Sequence, residues 1–324
     1  MVRVKILADR GVIFLAIVLV SAFIAVSASG AEVLKMGTPL KAVPHFDHVV
    51  LAAEEGGAWK QNGLEVQWVP FRGATDMHQA VAAGAIDVAI ADTAGLFQAV
   101  ARGVPELMVA ESGFNQFFSI WVGPTSPIRE PKDLKGARIG SSRFGASAYA
   151  FGYAMTKSLG LEKEVKFVAV GGVADRVAAL KAGAIDAFVQ TYAPLANMVV
   201  KGELREVVSM KGRFPAEWSD IVLSAQNKRI EMSPETIKRF VTSYFQATSY
   251  LQDNPDWSVD RLKSKMGYLE EAAREIHRSL RFARSGKINR KALENVREFI
   301  LEYKLVPKEK MTAIDALYTT KFVE

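Results

Sequence analysis

The sequence predicts an α/β chain built as two similar lobes, and three observations carry that prediction. Residues 66–103 align without a gap on residues 165–202 at a constant offset of 99, with 14 identities in 38 positions. The pentapeptide Ala-Gly-Ala-Ile-Asp stands in both copies, at 83–87 and 182–186. Each copy also alternates short apolar runs with helical patterns, the order expected of a parallel sheet covered by helices on both faces. Two lobes of one construction that meet at a cleft form a ligand-binding device more often than a catalyst.

The first lobe opens with a strand at Val33–Gly37, followed by a polar loop at Pro44-His45-Phe46-Asp47 and a helical pattern from His48 to Gln61. Gly63 fits the position after a helix C-terminus, and Leu64–Val69 alternates as a strand. A helix over Thr75–Ala83, a stop at Gly84 and a buried strand over Asp87–Ala91 complete the unit. The second lobe repeats the order: strand Ala137–Gly140, loop Ser141–Ala146, helix Ser147–Leu159, strand Val165–Val170, a helix from Ala174, and strand Asp186–Gln190. Residues 117–122 and 221–224 read as the two crossings between lobes, and hinge motion is expected at about 119–122 and 220–223. The first lobe is therefore expected to comprise 32–118 and 222–324, and the second 119–221. From Ser233 the chain is helical. Ser233-Pro234-Glu235 is a helix start, and further helices at about 269–283 and 289–304 are expected to buttress the first lobe.

Residues 1–31 read as an export signal. Arg3, Lys5 and Arg10 precede an apolar run of 16 residues, Gly11–Val26, and Ser29-Gly30-Ala31 supplies the small residues for cleavage after Ala31. The run falls short of the roughly 20 residues that span a bilayer. Without the leader the chain carries 38 Lys+Arg against 34 Asp+Glu, too dilute a positive charge for a nucleic-acid footprint. There is no cysteine, which excludes a disulfide framework, a thiolate metal site, a cysteine nucleophile and a lipidated N-terminus. The expectation is a freely diffusing periplasmic protein, monomeric, without cofactor or metal.

In open parallel sheets ligands bind at the carboxyl ends of strands, where helix N-termini aim N–H groups outward. Four loops qualify: Pro44–Asp47, Ala91–Ala94, Ser141–Ser147 and Thr191–Ala193. In the repeat, Asp92-Thr93 corresponds to Thr191-Tyr192. The segment Gly140–Ser147 has the glycines and final serine of a phosphate loop, but Ala146 stands where the lysine must be, which excludes nucleotide hydrolysis by that motif. What remains is a turn whose backbone donors at Arg143, Gly145, Ala146 and Ser147 suit a carboxylate or sulfonate head. Arg143 either holds that anion or is solvated; Arg72 and Arg176 read as surface residues. Of the aromatic residues near the cleft (Phe46, Phe114, Phe117, Phe118, Trp121, Tyr192 and Trp218), Phe46, Tyr192 and Trp218 stand in polar loops and either pack on a ligand or belong to the core.

Enzyme signals are poor. His45 and His48 lack a carboxylate or third histidine at zinc-like spacing, and His78 and His277 read as surface residues on helices. GxSxG, HExxH and GxGxxG are absent. Asp87 and Asp186 occupy helix-to-strand turns at the far end of the strand from the ligand loops, a place for turn and capping roles.

The order of segments resembles the periplasmic solute-binding proteins for nitrate, taurine and aliphatic sulfonates, relatives of the thiamin-pyrimidine synthase proteins. The matching pieces are Ala52–Leu64 (AAEEGGAWKQNGL), Gly84-Ala-Ile-Asp-Val, Ile128–Gly140 (IREPKDLKGARIG), Gly171-Gly172 with AALKAGAID at 178–186, and the terminal IDALYTTKFV. The resemblance implies a type II periplasmic-binding fold with two crossings, and delivery of a small solute to the permease of an inner-membrane ABC importer. It places the binding loops on His45–Asp47, Asp92–Thr93, Arg143–Ser147 and Thr191–Tyr192. The cysteine-rich segment of the synthase branch cannot exist here, which removes that chemistry. Asp92 and Arg143 together also admit a zwitterion or an aromatic acid as ligand. The rival readings are an exported enzyme and a ligand sensor using the same cleft.

Overall fold

A computed structural model describes residues 31–41, 43–113, 117–144, 147–213, 215 and 217–323. The leader expected over residues 1–31 lies, apart from Ala31, outside the described residues, as do Phe114, Gly145 and Ala146. No helix among the described residues is long and apolar enough to cross a membrane.

Two five-stranded sheets form the centres of the two lobes. The first contains β1 (Glu32–Thr38), β2 (Leu64–Pro70), β3 (Val88–Asp92), β4 (Glu106–Glu111) and β10 (Ile221–Gln226), in the order β2-β1-β3-β10-β4. The second contains β5 (Phe118–Val122), β6 (Arg138–Ser141), β7 (Lys166–Ala169), β8 (Ala187–Thr191) and β9 (Arg205–Ser209), in the order β7-β6-β8-β5-β9. Three strands of each are parallel, as the repeat demands. The crossing strands are a correction: β10 lies antiparallel between β3 and β4, and β5 antiparallel between β8 and β9. Each crossing strand is therefore an interior member of one lobe's sheet.

The first lobe's repeat unit carries helices α1 (Pro44–Glu55), α2 (Ala58–Gln61), α3 (Ala74–Ala82) and α4 (Thr93–Ala101); the second carries α5 (Ser147–Ser158), α6 (Val173–Lys181) and α7 (Ala196–Val200). The stretch expected as a polar loop at 44–47 is instead the first turn of α1. Pro44 takes a first-turn position, where its missing N–H and fixed φ cost nothing. The repeated Gly84 and Gly183 end α3 and α6 at φ 71° and 68°, the left-handed conformation that a side chain rarely adopts.

Register equates the two lobes beyond the aligned segment. Met36 and Gly37 of β1 pair with Val88 and Ala89, while Ile139 and Gly140 of β6 pair with Ala187 and Phe188. The partners differ by the repeat offset, so Gly37 corresponds to Gly140 and Thr38 to Ser141.

The C-terminal helices are α8 (Asn227–Met232), α9 (Pro234–Asp253), α10 (Pro255–Ser264), α11 (Glu270–Ser279) and α12 (Arg290–Glu302). Phe240, Tyr244, Ala247 and Leu251 of α9 are buried against α1 and α2 in the first lobe's core. The buttress also reaches the second lobe through α12. Phe299 stacks on Phe151 of α5 at 5.0 Å, and Glu302 accepts from Lys157 at 2.5 Å.

Candidate functional site

Each sheet has one place where strand order reverses. The chain runs from β1 outward to β2, then back across β1 to β3; it runs from β6 outward to β7, then back to β8. The helices leaving these neighbours go to opposite faces, which leaves a crevice beyond the carboxyl ends of β1 and β3, and another beyond β6 and β8. The four loops singled out in the sequence sit at these two crevices.

On the first lobe, His45 and Phe46 are buried in the turn that opens α1, their rings 4.2 Å apart. Burial pulls the His45 pKa down to about 3, so it is neutral at physiological pH. Asp47, on the same turn, is half-buried. Asp92 caps α4, its Oδ1 accepting from Gly95 N at 2.6 Å, and burial raises its pKa despite that bond. Thr93 is enclosed by protein: its hydroxyl meets Ser219 Oγ at 3.1 Å and the Asp220 carbonyl at 3.1 Å. It ties the crevice to the segment leading into β10.

On the second lobe, Arg143 is exposed, and its Nη2 lies 3.7 Å from where a side chain on Gly73 would begin. This arginine therefore reaches across to the first lobe at the start of α3. Ser147 opens α5. Thr191 ends β8, its N–H donating to Gln190 Oε1 at 2.8 Å. Tyr192 is half-buried, 6.4 Å from Trp121, and packs against both lobes' cores. Trp218 differs from the expectation. Its indole is only 8% exposed and stands edge-on to Phe299 at 5.5 Å and to Phe151 at 6.4 Å, so its faces serve packing between α5 and α12 rather than a loop surface.

Three features escaped the sequence reading. Arg176 is not a surface residue. It is buried on the inner face of α6, with Nε donating to the Gly172 carbonyl at 3.2 Å and Nη1 to the Val189 carbonyl of β8. The signal was its spacing, since 176 shares a helix face with Val173, Val177 and Leu180. Tyr268, from the loop between α10 and α11, stands near both Asp47 and Tyr192, and burial followed by those neighbours lifts its pKa to about 12. The other three histidines are also buried. His277 Nδ1 and His48 Nε2 meet Ser258 Oγ at 2.8 and 2.9 Å, and His78 Nδ1 meets Glu106 Oε2 at 2.7 Å. Each fills an inward position on a helix, where the ring packs and one ring nitrogen finds a partner.

The first lobe's crevice thus carries the carboxylates of Asp47 and Asp92, and the second lobe sends the Arg143 guanidinium toward the start of α3. Such a pair of walls can orient a small polar solute by charge and bury it by closure. Depressions of about 400 Å³ beside Arg290, Arg297 and Asp315, and of about 270 Å³ beside Lys135 and Asp186, lie elsewhere. Their charged groups are exposed and several already paired, as in Arg290 with Asp315 and Arg138 with Asp186. The strand-end crevices are the better candidate. Among the described residues no three His, Asp or Glu side chains converge as metal ligands would.

The NMT1/THI5-like family model matches residues 46–258. A putative thiamine biosynthesis protein of Haemophilus influenzae is 28% identical over 218 residues, 65% of this chain and 67% of that protein. The alkanesulfonate-binding protein SsuA of Xanthomonas axonopodis pv. citri, solved bound to MOPS, superposes with a TM-score of 0.75 at 18% identity, covering 89% of this chain and 98% of that one. The desulfurization enzyme DSZB superposes with a TM-score of 0.66 at 15% identity, covering 90% and 97%. The shared architecture is the two-lobed α/β fold of the periplasmic binding proteins.

Proposed function

Because the chain belongs to the NMT1/THI5-like family, we propose that it is a solute receptor of the periplasm, which captures a small anionic or zwitterionic organic molecule between its lobes and presents it to an ABC importer. The observation that carries this reading is the pair of strand-end crevices, with Asp47 and Asp92 on the first lobe and Arg143 reaching from the second toward Gly73. Closure of the lobes about their two crossings removes water from the solute's polar contacts, which strengthens them. The protein makes and breaks no bond in this cycle.

The solute belongs to one of two groups. The likeness to a sulfonate-binding protein favours a sulfonate, and the relationship to a putative thiamine biosynthesis protein favours a thiamin-related pyrimidine. An exported enzyme is the rival reading, favoured by the superposition on DSZB. Against it, Asp92 is engaged as a helix cap and burial alone, with no charged partner, shifts His45. A ligand sensor would use the same closure with a signalling partner in place of the permease.

The test is a tryptophan-fluorescence titration with alkanesulfonates, taurine, nitrate, amino acids, aromatic acids and hydroxymethylpyrimidine, each recovered afterwards and checked by NMR. Saturable binding with unchanged solute is expected. No binding across the panel would remove the receptor reading, and chemical conversion would favour the enzyme.

A further inference from the structure

The helices that follow β6 and β8 meet the first lobe's C-terminal helices at two separate places, and the two contacts differ in kind. Where α5 meets α12, Phe299 stacks on Phe151 at 5.0 Å, Trp218 stands edge-on to Phe299 at 5.5 Å, and Tyr153 edge-on to Tyr303 at 5.7 Å. Where α7 meets the turn between α10 and α11, the Asn197 side chain spans the gap. Its Nδ2 donates to the Gly267 carbonyl at 2.9 Å, and its Oδ1 accepts from Leu269 N at 2.8 Å. One amide thus serves an acceptor and a donor of the opposite backbone, two residues apart.

The turn it grips is fixed from below. Gly267 N donates to the Lys263 carbonyl and Tyr268 N to the Leu262 carbonyl, both at 3.1 Å, which anchors the turn on the end of α10. Between the two gripped residues stands Tyr268, near Asp47 of the first lobe's crevice and Tyr192 of the second's. The grip therefore lies at the rim of the space between the lobes. Beside it Ala196 is fully buried in the first lobe's core, with Ala193 and Val200 partly buried against that core. So small a residue lets α7 come close and gives up little apolar contact when it withdraws. The first lobe has no such reach at the matching positions. Phe97 stands for Ala196, and Gln98 stands for Asn197, its Oε1 accepting from Arg102 Nη2 of the same helix at 3.3 Å.

We propose that Asn197 is the latch of the closed form, holding the second lobe over the crevice by its two bonds to the turn at 267–269. The aromatic contact of α5 with α12 is the side about which the lobes swing, because parting buried, stacked rings costs more than exchanging two rim hydrogen bonds for water. A solute enters when the Asn197 bonds open and is retained while they are made. Asn197 is a positioning residue: it acts on capture through the placement of the lobes and not by touching the solute. This deepens the receptor reading and rests on it.

The test places nitroxide labels at Lys201→Cys and Lys265→Cys, exposed positions on either side of the grip in a chain that has no cysteine of its own. Pulsed electron-resonance distances in the ligand-free chain should be predominantly short. Asn197→Ala should shift the ratio of short to long separations by roughly tenfold, the effect of two hydrogen bonds. Asn197→Asp keeps the acceptor for Leu269 N, loses the donor to Gly267, and should fall between. Gln98→Ala should leave the distances as they are, and all three variants should melt near the native temperature. Stopped-flow fluorescence with taurine, methanesulfonate and hydroxymethylpyrimidine then reads capture, and release of whichever binds should quicken about tenfold in Asn197→Ala. Distances unmoved by Asn197→Ala, or already long in the native chain, overturn the latch and leave the receptor reading standing, as does release at the native rate. If the distances respond but neither these probes nor the wider solute panel binds, the receptor reading falls, and the part of Asn197 in capture falls with it.

Discussion

The two lobes are the same device up to the repeated aspartate and different beyond it. Asp87 Oδ2 accepts the backbone N–H of Lys35 at 2.9 Å, and Asp186 Oδ2 accepts that of Arg138 at 2.8 Å. In both lobes this bond clamps the helix-to-strand turn onto the first strand, away from the crevice. At the other end the copies part. Asp92 caps its helix where Thr191 ends its strand, and Met77, Trp68 and His78 correspond to Arg176, Phe167 and Val177. The duplicated pentapeptide is scaffold, and the unmatched residues are where the lobes take separate tasks.

The largest contrast to test is in how each lobe secures its edge strand. Glu106 at the start of β4 is buried, accepts from Ser224 at 2.5 Å and pairs with His78. Its counterpart at the start of β9 is Arg205, which donates to the carbonyl of Ile128 at 2.6 Å. Glu106→Ala strands a buried histidine and should cost about 3–5 kcal/mol in urea denaturation. Arg205→Ala should cost only about 1 kcal/mol. Equal losses would break the contrast.

Acid should also separate the lobes, because all four histidines lie outside residues 119–221. Burial, with the His277 charge as a lesser cause for His48, holds His45 and His48 at about 3. In the unfolded chain they titrate near 6.5, so below that pH the unfolded state binds more protons. The stability they contribute above pH 6.5 is then lost as pH falls, roughly 2 kcal/mol for each at pH 5. His78 has the opposite sign. Burial opposes its ionisation, but the Glu106 hydrogen bond and charge prevail and raise its pKa, so its contribution is present below 6.5 and lost as pH rises through the folded value. Hydrogen exchange at pH 5 should therefore open α1, α10 and α11 before β6 and β8. Uniform opening would contradict the assignment.

Much of this was legible in the sequence, for reasons that mark the limits of the reading. The repeat gave two lobes, the order of their elements, and the turn role of Asp87 and Asp186, because local periodicity and an internal copy carry that information. The antiparallel insertion of β5 and β10 was not legible, since their neighbours in the sheet are distant in sequence. Arg176 was misjudged because a charged residue was assumed to be solvated, although its own helix spacing and its alignment with Met77 placed it inside. Trp218, left open between ligand and core, packs in the core. Its loop is polar, yet α12 arrives from about eighty residues away to cover it.

Smaller effects should sharpen the comparison. Asp87→Ala and Asp186→Ala each remove the acceptor of a first-strand N–H and should lower stability by about 1 kcal/mol each, with a small further loss at Asp186 for its part-exposed pair with Arg138. Markedly unequal losses would mean the turns are not equivalent. Thr38→Val leaves the Trp68 N–H without an acceptor and should cost about 1 kcal/mol, whereas Ser141→Ala, at a buried hydroxyl with no hydrogen-bond partner, should leave ligand-free stability unchanged or slightly raised. Calorimetric melting of the two variants checks this pair.

The most direct measurement is the stoichiometry of calorimetric titration with whichever solute the fluorescence panel identifies. Two lobes that form opposite walls of one site bind one molecule per chain, and that is the expected result. Two molecules per chain, one for each copy of the repeat, would contradict the account.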